Sequence, residues 1–137
     1  MTGLDNAWEQ VLEFHREFDV PVANRPRGMS KERAATRCGW MQDEISEFLE
    51  ASERNDLTEQ ADAMIDLIYF ALGTLVEMGV RPQPIMDIVH GANMSKLWSD
   101  GKPRFRDGDN KVIKPEGWSD PHDSIKAELA RQIETGG

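Results

Sequence analysis

Apolar residues recur every three or four positions along most of the chain, which is the spacing of amphipathic helices. The pattern predicts four long helices joined by short connections, an arrangement that folds as an antiparallel bundle. A first helix capped by Asp5 or Asn6 should end near Val20-Pro21, because the residue before a proline disfavours helical geometry. The predicted fold class is therefore all-α, with a four-helix bundle spanning residues 4–98.

Capping residues delimit the second and third helices. Ser30 is predicted to cap the second helix, which should end near Asn55. Asp56 followed by Glu59 has the spacing of a capping box and predicts the start of the third helix. Gly79 predicts its end, because glycine adopts the left-handed conformation that commonly closes a helix.

The fourth helix is predicted to begin at Pro82 and Pro84 and to run through Leu97. Proline is favourable in the first turn of a helix, where its missing N–H has no intrahelical partner.

Residues 99–121 form a lysine-rich tail with two Asp-Gly turn signals, which predict a loop or a small hairpin. A short terminal helix is expected within residues 122–137, capped by Asp123 or Ser124 and ending near Glu134.

The chain has 137 residues, of which 39% are hydrophobic, so one domain covering residues 1–137 is expected. The lone Cys38 excludes an internal disulfide and fits a reducing cytosol. No basic-then-apolar leader is visible, and the longest uncharged apolar run, Leu67–Val76, is too short to span a bilayer. A cytoplasmic protein without a membrane partner is the expectation.

Negative charge is concentrated in one part of the chain. The formal net charge is −9, and nine carboxylates lie between Asp43 and Asp66 with only Arg54 among them. Nucleic acid is not an expected partner, because phosphate contacts require a basic face.

The spacing of the acids places Glu44 and Glu47 on one face of the second helix, and Glu59, Asp62 and Asp66 on one face of the third. Asp66 is the only charge in a nearly apolar stretch, where an unpaired carboxylate is strongly destabilising. Convergent carboxylates without nearby His or Cys suit Mg²⁺ or Mn²⁺ rather than zinc. The pattern predicts a metal site between the two helices.

Simpler interpretations of the same acids remain open. Glu59 also fits the third position of a capping box, and Glu44 and Glu47 also fit a solvated helix face. A non-catalytic acidic interaction protein would show the same composition, without binding metal and without turnover.

A second, basic constellation lies at the end of the fourth helix and in the tail. Its members are Lys96, Lys102, Arg104, Arg106, Lys111 and Lys114. Solvated loop lysines are the simpler interpretation, and for Lys102 it is the expected one. A polyphosphate requires such cations beside a metal site, because Lys and Arg neutralise the oxygens that the metal does not contact. Asn93 shares the face of Lys96 and is a candidate donor to a base, a sugar or a phosphate. His15 and His90 are expected to have packing or supporting roles.

The spacing Glu44-x-x-Glu47, followed by Glu59-x-x-Asp62, resembles the ExxE…ExxD signature of the all-α nucleoside triphosphate pyrophosphohydrolases. That superfamily includes MazG-type enzymes, dimeric dUTPases and phosphoribosyl-ATP pyrophosphohydrolase. The runs A-D-A-M-I-D-L-I-Y-F-A-L-G-T, H-G-A-N-M-S-K-L and D-G-D-N-K-V-I-K-P are similar to its MazG-like branch, in which a lysine-bearing tail meets the triphosphate. The resemblance covers residues 8–121.

The resemblance implies hydrolysis of a nucleoside triphosphate to the monophosphate and pyrophosphate, with Mg²⁺ or Mn²⁺ as cofactor. It implies Glu44, Glu47, Glu59 and Asp62 as metal ligands, and Asp66 as a further ligand or a supporting partner. Glu47, with Glu44 beside it, is the first candidate to orient or deprotonate the attacking water. The implied substrate-binding residues are Asn93, Lys96, Arg104, Lys111 and Lys114.

The resemblance further implies a homodimer or tetramer and a role in nucleotide-pool control or house-cleaning. The accepted base stays open among dUTP, dCTP, purine dNTPs and modified nucleotides. A phosphoribosyl-ATP pyrophosphohydrolase proper is an alternative, against which the lysine-rich tail and the N-M-S-K segment argue.

Overall fold

The computed structural model describes residues 3–136, and this part of the chain contains five α-helices. They are α1 (Leu4–Glu17), α2 (Lys31–Glu53), α3 (Leu57–Met78), α4 (Pro82–Met94) and α5 (His122–Thr135). Helix α2 packs along α3, α1 packs against α3 and α4, and α5 packs against α4. The predicted all-α helical bundle is confirmed.

Side-chain caps start α2 and α3 at the predicted residues. The hydroxyl of Ser30 accepts the backbone N–H of Arg33 at 3.1 Å. Asp56 Oδ1 accepts the backbone N–H of Glu59 at 3.1 Å. Each cap satisfies an N–H group that has no partner inside its helix. The short connection between the two helices makes them an antiparallel hairpin.

Gly79 ends α3 in the left-handed conformation, with φ of 69°. A Cβ atom at this position would lie 2.3 Å from the carbonyl oxygen of Arg25. The connection between α1 and α2 therefore crosses the end of α3 so closely that only glycine fits. The backbone N–H of Arg27 donates to Met78 O at 2.8 Å and fixes this crossing.

The predicted cap of α1 at Asp5 or Asn6 is wrong. The helix begins at Leu4, and Gln83 of α4 takes the place of a local cap by accepting the Leu4 N–H through Oε1 at 2.6 Å. In return, the N–H of Gln83 donates to Asp5 Oδ1 at 3.0 Å. The start of α1 thus depends on a residue far away in the sequence, which local capping rules do not detect.

Helix α4 ends at Met94, before the predicted end at Leu97. The hydroxyl of Ser95 donates to Ala92 O at 2.6 Å and satisfies a carbonyl that the ending helix leaves free. Lys96 therefore lies just beyond the helix.

The tail forms a small hairpin turn with an isolated antiparallel bridge between Phe105 and Val112. Helix α5 begins at His122, one residue before the first of the two predicted caps, Asp123 and Ser124. The predicted cap at Asp123 or Ser124 is wrong: Pro121 is the N-cap residue, and the carboxylate of the preceding Asp120 accepts a hydrogen bond from the His122 N–H at 2.9 Å. The last residue of the predicted terminal helix, 137, lies outside the described residues.

The hydrophobic core lies where α1 crosses α3. Its buried members are Trp8, Val11, Leu12, Leu72 and Val76. They recur at helical spacing on one face of each helix, so the core is the apolar stripe that the sequence pattern predicts.

A buried ion cluster joins α2 to α3. The Glu77 carboxylate accepts hydrogen bonds from Arg33 Nε at 2.9 Å and from Arg33 Nη2 at 2.8 Å. Arg37 forms an ion pair with the same carboxylate. The side chains of Glu77 and Arg37 are each only 3% exposed. Burial opposes ionisation of Glu77, but the hydrogen bonds from both arginines outweigh it and hold its pKa below the usual value. Removing one partner of such a pair typically costs about 3–5 kcal/mol, because a charge is left buried and unpaired.

Within residues 3–136, no single helix has the length and apolar character to cross a bilayer. Helices α3 and α4 meet those criteria only when taken together, and they are bent by 117° at the break between them.

Candidate active site

Four carboxylates of α2 and α3 lie close enough to influence one another electrostatically. Glu44 and Glu47 lie on α2, and Asp62 and Asp66 lie on α3. Glu44 is affected by its neighbour Glu47 and by the charges of Asp66 and Asp62. Asp66 in turn experiences the charges of Asp62 and Glu47. We refer to these four residues as the acid quartet.

The acid quartet is electrostatically unfavourable in the absence of a cation. Burial, followed by the hydrogen bond and charge of Glu47, raises the pKa of Glu44 from 4.5 to about 7. Burial and the charges of Asp62 and Glu47 raise the pKa of Asp66 as well. Glu44 Oε2 is buried and has no hydrogen-bond partner among the described residues, a state that is rare for a native polar atom.

The donor set of the acid quartet fits a hard divalent cation. Its ligands are carboxylate oxygens, which Mg²⁺ and Mn²⁺ prefer, and one of those oxygens has no protein partner. Among the described residues no Lys or Arg forms an ion pair with any of the four acids. No three acidic, His or Cys side chains in residues 3–136 already stand in metal-ligand geometry. Metal binding would therefore require the side chains to converge further.

Glu59, a ligand in the predicted site, lies in the first turn of α3 with its side chain exposed. It is not among the charges that act on Glu44 or Asp66. A metal-binding role for Glu59 stays a prediction.

A cavity of about 250 Å³ lies one helical turn from the acid quartet. Trp40 precedes Glu44 by four residues on α2, and Tyr69 and Phe70 follow Asp66 by three and four on α3, so these rings are neighbours of the acids. The rings of Trp40 and Phe70 are 5.6 Å apart. The cavity is lined by Phe14, His15, Val20, Arg33, Arg37, Trp40, Tyr69, Phe70 and Gly73. Flat aromatic walls with a few polar groups suit a planar heterocycle.

The inner end of the cavity is polar and rigid. His15 Nδ1 donates to Pro21 O at 2.8 Å, which leaves Nε2 to accept from Arg37 Nη2 at 3.4 Å. Burial lowers the pKa of His15, which fits this neutral tautomer. Gly73 makes the arrangement possible, because a Cβ there would lie 2.9 Å from His15 Nε2. The supporting role expected for His15 agrees with its position.

Sequence reasoning missed this cavity. Trp40 lies four residues before Glu44, and Tyr69 and Phe70 lie three and four residues after Asp66. This helical spacing was the signal in the sequence that could have predicted aromatic rings beside the acids. Nothing local to the sequence indicates that His15 and Val20 of another segment would close the same space.

The predicted phosphate-binding residues divide into two groups. Lys96 Nζ and Lys114 Nζ lie 5.3 Å and 5.1 Å from the centre of the Trp118 ring. Arg104 instead lies 4.0 Å from the Trp98 ring and pairs with Asp100 at 3.8 Å.

The side chains of Asn93 and Lys111 are exposed. Among the described residues no ion pair connects the tail to the acid quartet. Sequence reasoning also missed Trp118.

The comparisons with known proteins identify the family of the chain. The family model described as phosphoribosyl-ATP pyrophosphohydrolase matches residues 11–93, more than half of the chain. The chain belongs to the phosphoribosyl-ATP pyrophosphohydrolase family. It is a pyrophosphohydrolase-type enzyme of the MazG-like all-α superfamily, as the acidic signature indicated.

Among solved structures, the chain is similar to a "putative NTP pyrophosphohydrolase" from Exiguobacterium sp. 255-15. The two are 33% identical, the match covers 93% of this chain and 96% of that chain, and the TM-score is 0.54. No curated protein matches the sequence.

The raised pKa of Glu44 predicts the effect of Glu44→Gln on the metal-free protein. The folded-state pKa of about 7 exceeds the usual 4.5, so wild type loses stability as the pH rises from 4.5 through about 7. The neutral variant avoids this loss. In EDTA its melting temperature should exceed that of wild type by roughly 2–5 °C at pH 8, and by less at pH 5.5.

Thermal unfolding followed by circular dichroism measures both values. Glu53→Gln, at an exposed end of the same helix, is the matched control and should melt like wild type at both pH values. A Glu44→Gln variant that melts at or below the wild-type temperature at pH 8 would contradict the repulsion derived for the acid quartet.

Proposed function

We propose that the protein hydrolyses (deoxy)nucleoside triphosphates to the monophosphate and pyrophosphate with Mg²⁺ or Mn²⁺, as an enzyme of nucleotide-pool control or house-cleaning. The observation that carries the proposal is the acid quartet, with its unpaired buried oxygen on Glu44, one helical turn from an aromatic cavity. The family match supports cleavage that releases pyrophosphate. The 33% identical solved chain supports a nucleoside triphosphate as substrate.

Each part of the site has a separate task in this reaction. Glu44, Glu47, Asp62 and Asp66 would hold the divalent cations, which when bound supply Lewis-acid neutralisation of phosphoryl oxygens. Glu47 orients the attacking water and accepts its proton. The water oxygen bonds to the α-phosphorus, and the bond from that phosphorus to the bridging oxygen breaks. The electron pair leaves with pyrophosphate.

The aromatic cavity is the place for the nucleobase. Its volume of about 250 Å³ accommodates a planar base, and its Trp40 and Tyr69 walls offer ring faces for stacking. Arg33 lines the cavity 5.1 Å from the Trp40 ring, and its Nη1, which does not donate to Glu77, is a donor for a base carbonyl. A base held there would direct its phosphates along the α2–α3 hairpin toward the acids.

Phosphoribosyl-ATP is a second candidate substrate, because the matching family model carries that description. That model covers residues 11–93 and thus stops before the lysine-rich tail. The candidate therefore belongs in the same substrate panel.

Replacing one acid of the quartet should abolish turnover. Asp62→Asn is expected to lower kcat by at least about 100-fold, because the charge that holds the cation is lost. Pyrophosphate release is measured with Mg²⁺ or Mn²⁺ over dUTP, dCTP, purine dNTPs, ribonucleoside triphosphates and phosphoribosyl-ATP.

Glu59→Gln on the same helix tests the remaining predicted ligand. A loss of rate equal to that of Asp62→Asn would show that Glu59 binds the metal, and a near-normal rate would show that it does not. Near-normal kcat in Asp62→Asn would refute the metal assignment. Wild type without turnover on any compound of the panel would favour the non-catalytic alternative.

Loss of the aromatic ring that stacks on the base should weaken nucleotide binding but leave binding of the phosphates unchanged. Trp40→Leu is expected to raise KM for the preferred nucleotide about tenfold or more, since stacking on one aromatic ring contributes about 1–3 kcal/mol. Trp40→Phe keeps a ring and should restore most of the affinity. Inhibition by inorganic tripolyphosphate, which has no base, should be the same in wild type and Trp40→Leu. An equal loss of tripolyphosphate inhibition would mean that the cavity does not recognise the base.

We further propose that the enzyme is a homodimer or tetramer. Large apolar side chains beside the acid quartet are half or more exposed in the monomer, which marks an interaction surface: Ile45 at 51%, Leu49 at 60% and Ile65 at 60%. Size-exclusion chromatography with light scattering should give at least twice the chain mass of 15.5 kDa. A monomeric mass at micromolar concentration would contradict this proposal.

A further inference from the structure

Trp118 anchors the tail to the end of α4. Its indole Nε1–H donates to Ala92 O at 3.1 Å and to Ser95 Oγ at 2.9 Å. Ala92 O is one of the carbonyls that the ending helix leaves free, so the indole completes the capping of α4. The tail residue is thereby fixed against the helix that precedes Lys96.

The ring of Trp118 gathers two lysines from different parts of the chain. Lys96 Nζ lies 5.3 Å from the ring centre, and Lys114 Nζ lies 5.1 Å from it. Both distances are within the range of a cation–π contact. A turn in which the Trp118 N–H donates to Pro115 O at 3.1 Å keeps Lys114 beside the ring. Two like charges would otherwise move apart, and the electron-rich ring offsets their repulsion.

The two lysines differ from the other tail cations in their partners. Arg104 is paired with Asp100, and Arg106 is paired with Asp109. Lys96 and Lys114 form no ion pair with any carboxylate among the described residues. Their charges are thus available to an anion, and two adjacent ammonium groups match a chain of phosphates rather than a single carboxylate.

We propose that Trp118 is a positioning residue that holds Lys96 and Lys114 together as a paired ammonium site for a polyphosphate, such as the triphosphate of the proposed substrate. The inference rests on the proposed function in its choice of ligand. The site itself is defined by the indole, its two hydrogen bonds and its two lysines. Arg104 and Lys111, which the sequence placed in the same role, are not part of it.

Binding of inorganic tripolyphosphate to the full chain tests the proposal without turnover. Isothermal titration calorimetry should show that Trp118→Leu weakens binding roughly tenfold, as expected for the loss of partly desolvated cation–π contacts. Trp118→Phe keeps the ring face without the Nε1–H and should bind more tightly than Trp118→Leu. Lys102→Ala, which removes an exposed tail lysine outside the site, is the matched control and should bind like wild type.

A double-mutant cycle separates positioning from a merely structural role. Lys96→Ala should cost much less affinity in the Trp118→Leu background than in wild type, because Trp118 acts through Lys96. In nucleotide hydrolysis, Trp118→Leu should raise KM and lower kcat/KM about tenfold, and it should reduce the salt dependence of KM.

Several outcomes would overturn the inference. The first two are an equal loss of tripolyphosphate affinity on Lys96→Ala in both backgrounds, and wild-type affinity in Trp118→Leu. The other two are an equal loss of affinity in Trp118→Phe and Trp118→Leu, and the absence of tripolyphosphate binding by wild type. Failure of wild type to hydrolyse any nucleotide would overturn the proposed function instead, and the calorimetric cycle would still decide the role of Trp118.

Discussion

The pairing of Glu77 with Arg33 and Arg37 sets the register of α2 on α3, and the rest of the site depends on that register. Because an uncompensated charge there would be buried, the two helices cannot slide past each other without losing the pair. With this end fixed, each further turn of α2 faces a defined turn of α3. Trp40 meets Phe70, Glu44 meets the aspartates, and Gln60 Nε2 reaches Ser52 Oγ at 2.8 Å near the connection.

This register also explains why the site has a fixed order along the hairpin. The ion cluster comes first, followed by the aromatic cavity and then the acids toward the α2–α3 connection. The arginines neutralise Glu77 at one end of the helix pair, while within residues 3–136 no Lys or Arg forms an ion pair with the acid quartet at the other end.

Much of the fold follows from local rules that the sequence displays. Ser30 and Asp56 cap their helices as predicted, because a capping bond spans only three residues. The cap of α1 was not predictable in this way, since Gln83 reaches it from α4.

The same distinction holds for the site. Spacing on one helix predicts that Glu59, Asp62 and Asp66 share a face, but which of them interact with the acids of α2 depends on helix rotation and register, and these are tertiary properties. The contacts of Trp118 with Ala92 and Ser95 are likewise tertiary, and no local sequence pattern predicts them.

Helix α3 contributes residues to the hydrophobic core, to the buried ion cluster and to the acid quartet. Its last turns supply Leu72 and Val76 to the core and Glu77 to the ion cluster, and its earlier turns supply Asp62 and Asp66. Helical segments of this kind, packed against the core, belong to the part of a protein that opens only with global unfolding. Asp62 and Asp66 share one continuous helix with the core residues Leu72 and Val76, so we expect a ligand that binds these acids to stabilise the whole fold rather than a mobile loop.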